Sequence, residues 1–266
     1  MDAVSPLKET PKTRTFFWKD RLRASGIHFC ISLAVASLAA LLVFLVWYPY
    51  PYREVSGGRE LFLILVSVDV VLGPLITLMI FNRSKPRREL VRDLAIVGLI
   101  QLSALAYGMW TVFVARPVHL AFEIDRFRVI HAVDVPVEMM EQAPPELQSL
   151  PLFGQSVLAV RPFRSAEESY EATMAALQGV HLGARPDLWQ AYPQARMRVL
   201  LAAKPAAQLK QRFPEQTDLI DAAIARTGQS VESLVTLPLV GRSSYWTVLL
   251  DSATAEVVGF IPLDSF

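Results

Sequence analysis

The chain has a single cysteine, Cys30, inside a long apolar run, so no disulfide can close within it and its fold must rest on packing alone. Its four histidines, His28, His119, His131 and His181, are too scattered for metal-ligand spacing, and no Cys or His cluster accompanies them. Each is expected to be a surface or capping residue. No glycine-rich phosphate loop and no Gly-x-Ser-x-Gly elbow occurs, which removes P-loop nucleotide hydrolysis and α/β-hydrolase chemistry. The formal net charge of +1 argues against nucleic acid as a partner. There is no internal repeat, which excludes solenoids and propellers.

Charge is most completely missing from three stretches, residues 27–48, 61–81 and 94–115. The first and third contain no Asp, Glu, Lys or Arg, and the second contains only Asp69. Each run is about 20 residues, which at about 1.5 Å rise per residue spans a hydrocarbon core of about 30 Å. A charged side chain at that depth costs about 2.5–3.5 kcal/mol on insertion scales, so the runs predict three transmembrane helices. Ala34-Val35-Ala36 mimics a signal-peptide cleavage site behind a basic start. It falls inside an apolar run that continues through Val46, beyond the roughly 7–15 residues of an h-region, so the first run is expected to stay as an anchor.

Basic residues set the expected orientation. Residues 1–26 carry Lys8, Lys12, Arg14, Lys19, Arg21 and Arg23, and the connection 82–93 carries Arg83, Lys85, Arg87, Arg88 and Arg92. The connection 49–60 has only Arg53 and Arg59, balanced by Glu54 and Glu60. Short Lys/Arg-rich segments stay in the cytoplasm, so residues 1–26 form a cytoplasmic tail touching membrane lipids and residues 116–266 an extracytoplasmic domain. Trp47, Tyr48, Tyr50 and Tyr52, with Trp110, fit an aromatic belt at the outer interface.

The expected fold class is a membrane protein with three N-terminal transmembrane helices followed by an α+β domain. Residues 118–124 and 127–133 alternate as strands around a turn at Asp125-Arg126. Pro136, Pro144, Pro145 and Pro151 predict a flexible loop, before a strand near Val157–Val160. Ser165 and Glu168 have capping-box spacing, opening a helix that runs to Gly179. A shorter helix is expected over 205–213, and another from Thr217 to Gly228. Strands 234–240, 245–251 and 257–261 complete a meander, with Pro238 demoting the first to an edge or bulged strand.

Asp69 is the candidate functional residue, because an ionisable group inside a membrane helix normally faces the bundle interior and serves a purpose. Pro74 cannot donate to the Val70 carbonyl and is expected to kink the helix. At helical spacing Asp69, Gly73, Ile76 and Thr77 share one face, placing a carboxyl, a notch and a freed carbonyl together as a docking groove for another helix. The alternative is internal glue, with Asp69 bonded to Ser67, Gln101, Ser103 or Tyr107. One carboxyl excludes an intramembrane aspartyl dyad and makes a poor ion path. Nothing in the sequence points to an enzyme, and about 26 residues before the first span leave a sensor no cytoplasmic output domain.

Asp69, Gly73-Pro74-Leu75, Thr77, the basic loop, Asp93-Leu94, Gln101-Leu102, Ala104-Leu105, Tyr107-Gly108, Arg116-Pro117-Val118, Phe122 and Asp125-Arg126-Phe127 together resemble the type IV pilin accessory proteins of the TfpX/TfpZ type. The similarity is clearest from about residue 60 to 130. It implies a bacterial inner-membrane protein, without catalysis or cofactor, that assists its cognate type IV major pilin in a chaperone-like way, its domain periplasmic. On that reading Asp69, Gly73, Pro74 and Thr77 would bind the partner, and Arg116, Pro117, Asp125 and Arg126 would fix the angle between membrane part and domain. The competing readings are a membrane-anchored subunit of a sensing or envelope complex with a periplasmic binding domain, and an unrecognised membrane enzyme.

Overall fold

The computed structural model describes residues 18–266, so Lys8, Lys12 and Arg14 of the basic tail lie outside the described residues. The first helix, α1 (Trp18–Leu42), continues as a π-helical turn, Val43–Trp47. A short helix α2 (Tyr52–Val55) occupies the connection. The second long helix is built from α3 (Gly58–Ser67), a π-helical turn Val68–Leu72, and α4 (Gly73–Ile80). The third is α5 (Arg87–Val114). All three are long and apolar enough to cross a membrane, spanning Trp18–Trp47, Gly58–Ile80 and Arg87–Val114. The first and third begin before their apolar runs, because the charged residues there are good helix formers and the backbone ladder does not stop where hydrophobicity does.

By packing, the chain divides inside these helices rather than at Arg116: one compact unit holds residues up to Ala36 and Val66–Leu105, the other Ser37–Leu65 and Ala106–Phe266. In the second unit the helix ends are part of the domain's interior. Phe44 packs on Phe62 with ring centroids 5.0 Å apart, and Trp47 on Phe113 at 5.1 Å. The Tyr48 hydroxyl donates to the Val112 carbonyl at 3.2 Å, and a Cβ on Gly58 would overlap the Tyr48 ring. Tyr52 and Val55 lie in the main core with Phe127, Leu239 and Trp246. The expected aromatic belt is therefore corrected for Tyr48 and Tyr52, which are buried in protein, whereas Tyr50 is exposed and edge-on to Trp246.

Beyond Arg116 the chain forms an eight-stranded mixed sheet. Its elements are β1 (Pro117–Phe122), β2 (Phe127–His131), β3 (Ser156–Val160), α6 (Ala166–Leu177), β4 (Trp189–Ala191), α7 (Arg196–Ala202), β5 (Lys204–Pro205), α8 (Ala206–Arg212), α9 (Thr217–Thr227), β6 (Leu234–Val240), β7 (Tyr245–Asp251) and β8 (Val257–Ile261). The order is β4-β3-β1-β2-β6-β7-β8, with β5 on β6. The expected α+β domain and its hairpin are present: Phe122 faces Phe127, and the Glu123 N–H donates to the Arg126 carbonyl at 2.8 Å. Leu120, Phe122, Phe127 and Val129 pack on one side, Val118, Ala121 and Ile130 in a separate cluster, so β1 is buried along its whole length. Each large apolar side chain so removed from water is worth about 1.5–3 kcal/mol.

Two expectations are corrected. β6 is central rather than an edge, pairing with β7 along its whole length and with both β5 and β2 on its other side. Leu237 and Pro238 fall between the β5 and β2 pairings, so no ladder on that side needs an N–H from Pro238. The proline-bearing stretch forms three short 3-10 turns, Ala132–Asp134, Val137–Gln142 and Pro145–Leu147, and buries Val135 and Ala143. Helix signals hold more closely: Ser165 Oγ accepts from the Glu168 N–H at 3.1 Å. The Glu168 carboxylate reaches back one residue further than a capping box, to the Arg164 N–H at 2.6 Å, and is gripped by Arg161 at 2.6 and 3.0 Å. Helix α9 ends at Gly228, whose φ of +70° is the left-handed C-cap conformation.

Candidate functional site

The second long helix changes pitch where Pro74 removes a donor. In the π turn hydrogen bonds run from the carbonyl of residue i to the N–H of residue i+5, so the Asp69 carbonyl, which would take its bond from residue 74, has no donor there because Pro74 lacks an N–H. Gln101 supplies the missing donor from α5, its Nε2 lying 3.3 Å from the Asp69 carbonyl oxygen. Gly73 makes the approach feasible, because a Cβ there would overlap the Gln101 side-chain amide. From α1, Ser25 Oγ donates to the Pro74 carbonyl at 2.8 Å, and His28 Nδ1 lies 2.5 Å from Thr77 Oγ1.

These contacts separate the four residues proposed from the sequence. The notch at Gly73 is filled from within by Gln101, the Pro74 carbonyl is taken by Ser25, and Thr77 is tied to His28. Ile76, expected on the same face, is 38% exposed and lines a separate shallow cleft with Val97, Ile100 and Gln101 of α5. Only Asp69 of this group lines a cleft of about 220 Å³, walled by all three helices through residues that include His28, Ser32, Gly98, Gln101 and Leu102. Asp69 is 9% exposed, and its Oδ1 has no hydrogen-bond partner among the described residues. Gln101 was an expected partner for the carboxyl and instead serves the backbone. His28 was missed as a site residue; its signal was its place inside the first apolar helix, three residues after Ser25 on one face.

Chemically the cleft offers one carboxyl, one imidazole, one amide and one hydroxyl in an apolar frame. No group of three or more His, Cys, Asp or Glu that could hold a metal occurs among the described residues. A buried carboxyl oxygen without a donor is an anchoring point for an entering N–H or O–H group.

The four residues expected to set the domain's angle are not together. Arg116 and Pro117 stand where α5 passes into β1; Asp125 and Arg126 stand in the turn at the other end of the β1–β2 hairpin. Arg116 is 5% exposed, donates to the Phe113 carbonyl at 2.9 Å and the Pro151 carbonyl at 3.1 and 3.3 Å, and lies 3.9 Å above the Phe113 ring. Burial lowers its pKa from the ordinary guanidinium value. Asp125 pairs with Arg126 at 2.7 Å, and Arg126 covers the Phe266 ring at 4.8 Å, so this pair serves the far end of the domain. A second cleft of about 660 Å³ is lined by Arg128, His131, Asp134 and Arg242. Its charges are largely paired within the chain, Arg128 with Glu123 at 3.0 Å and Arg242 with Asp134 at 2.7 Å. Despite its burial, Asp134 has its pKa lowered, through the hydrogen bond from His131 and the charge of Arg242.

Fold and site define a three-helix membrane protein with an appended α+β domain and a polar cleft inside the bundle. The model of the family "Fimbrial assembly protein FimB" matches residues 16–57, a segment that includes the core residues Tyr52 and Val55. The chain is 40% identical over 247 residues to the fimbrial assembly protein of serogroup I of Dichelobacter nodosus, covering 92% of this chain and 95% of that protein. Over the same length and coverage it is 38% identical to the serogroup E1 protein. The chain belongs to the fimbrial assembly protein family. The resemblance to type IV pilus accessory proteins is thus borne out, over more of the chain than residues 60 to 130. No solved structure matches it.

Proposed function

We propose that the protein is a non-catalytic accessory of the bacterial inner membrane that holds its cognate type IV major pilin before assembly, with its N-terminus cytoplasmic and its α+β domain periplasmic. Membership of a fimbrial assembly family supports the process. The observation that carries the molecular reading is the Asp69 carboxyl, which lines a cleft between three apolar helices with one oxygen unpartnered. The apolar N-terminal helix of a pilin, entering from the same membrane, would lie against the cleft and bring a donor to Asp69. A domain on the same chain would meet the pilin's globular head, and the shared tether would raise the effective concentration of the second contact. On this reading Gly73, Pro74 and Thr77 act indirectly, by fixing the π turn that presents Asp69. Arg116 and Pro117 hold the domain on the helix ends.

A photo-crosslinker at Leu102, on the cleft wall, is expected to capture the major pilin in cells that make it. Asp69→Asn keeps the shape while halving the acceptor capacity, and should weaken both capture and piliation without lowering the level of the protein. Unchanged capture and piliation would remove Asp69 from the docking role. A reporter fused after Phe266 that works only in the periplasm tests the orientation; activity restricted to the cytoplasm would overturn it.

A further inference from the structure

Loops leaving a folded domain normally turn polar side chains outward, and clustered exposed apolar ones mark a surface that something covers. Residues 151–155, just before β3, do the reverse. Leu152 is 57% exposed and Phe153 is 74% exposed.

This loop is pinned to the helix ends on both sides. Arg116 Nη2 donates to the Pro151 carbonyl at 3.1 Å, the Gly154 N–H donates to the Val46 carbonyl at 3.3 Å, and Gln155 Nε2 donates to the Trp47 carbonyl at 3.0 Å. Val46 and Trp47 close the first span, and Arg116 stands two residues past the end of the third. Leu152 and Phe153 are therefore presented where the helices leave the hydrocarbon. The same helix ends carry Trp47, Phe113 and the exposed Trp110, whose rings lie tilted against one another with centroids 5.1 and 6.0 Å apart. No Asp or Glu occurs between Leu150 and Ser156, so nothing in the loop repels an anionic headgroup.

We propose that residues 152 and 153 dip into the interfacial layer of the bilayer, making the loop an additional lipid attachment that fixes the tilt of the domain. The occupant is lipid because the loop lies at the ends of membrane-spanning helices beside their uncovered side, where Trp110 is 60% exposed, and because its flanking hydrogen bonds, all to main-chain carbonyls, hold it there without a partner protein. The proposal rests on the membrane spans and not on the pilus role, so either can fail alone.

The test uses the full chain with Cys30→Ser, reconstituted without pilin in phosphatidylcholine–phosphatidylglycerol vesicles, carrying Phe153→Cys labelled with a small fluorophore. Lipids bearing a shallow nitroxide should quench this label several-fold more than aqueous iodide does. A label at Ile124→Cys, 69% exposed at the opposite tip of the β1–β2 hairpin, should show the reverse preference. Leu152→Cys reads the same layer if the first variant folds poorly. Equal iodide quenching at 153 and 124, with no lipid quenching at 153, would overturn the proposal. So would shielding of 153 that appears only after pilin is added, since the occupant would then be protein.

Discussion

Gly73→Ala tests the construction of the cleft most directly. The added Cβ would overlap the Gln101 amide, which is the far end of a flexible side chain and can swing away, at the cost of its bond to the Asp69 carbonyl. Interhelical hydrogen bonds in membranes average about 0.6 kcal/mol and reach about 1.7. Crowding adds to the loss, so Gly73→Ala should destabilise the bundle by about 1–2 kcal/mol, although alanine is the better helix former in isolation. Gln101→Ala removes the same bond and should cost about 0.6–1.7 kcal/mol. The double variant removes the bond once and leaves room for the new methyl, so it should cost about as much as Gln101→Ala alone. Reversible unfolding of the full chain in bicelles, by steric trapping, gives all three values. Costs that add to within about 0.3–0.5 kcal/mol, the range for independent sites, would refute the filled notch.

Other outcomes follow in the sheet domain. Glu123 is buried and accepts from Arg128 Nε and from the Gly183 N–H, each at 3.0 Å. Glu123→Ala strands a partly buried guanidinium and should cost about 3–5 kcal/mol in denaturant melts, most of it recovered with Arg128→Ala; no recovery would mean that the Gly183 bond dominates. Burial pushes the His119 pKa from 6.5 down to about 4, and its ring lies 4.9 Å from that of Trp189. The folded state thus prefers the neutral ring while the unfolded chain takes up a proton below pH 6.5. His119 should therefore withdraw stability as pH falls from 6.5 toward 4, on the order of 3 kcal/mol in all, and none above. Chemical denaturation followed by intrinsic tryptophan fluorescence at pH 7 and 5 reads this, and His119→Gln should flatten that part of the profile. Ser165→Ala removes the α6 cap and should cost about 1 kcal/mol by the same melts.

What was legible in the sequence was what neighbouring residues decide among themselves. Alternation around Asp125-Arg126 gave the β1–β2 hairpin, and turn residues gave the bounds of β6, β7 and β8. Ser165 and Gly228 marked helix ends because they act on backbone groups within one turn. Pairings across long separations were not legible. Phe127 in β2 lies beside Leu239 in β6, and that parallel match is what makes β6 central. An apolar strand buried on both sides reads the same whichever strand it pairs with. Pro238 misled for a related reason: its missing N–H forbids a ladder only on the side where it would point, and there the sheet has a gap between two partners.

The site shows a subtler limit. Pro74 correctly marked a break in the second long helix, and Asp69 the residue that faces inward. The 3.6-residue spacing then placed Ile76 on the shared face and the freed carbonyl on Val70. A π turn inserts one residue into the repeat and widens the inward face after it: Gly73, Pro74 and Thr77 are buried, Ile76 is not, and the carbonyl that Gln101 satisfies belongs to Asp69. The extra residue thus converts a groove of four candidate contacts into a packed joint of three and a single carboxyl that lines the cleft. The aromatic run at the helix ends failed in the same way. Trp47, Tyr48 and Tyr52 have the composition of a lipid belt, yet what decides between lipid and core is whether protein stands opposite, and for Tyr48 and Tyr52 it does. The apolar side chains that do stand uncovered near those helix ends are Leu152 and Phe153, in a loop whose prolines marked it as irregular but said nothing of where Arg116, Val46 and Trp47 would hold it.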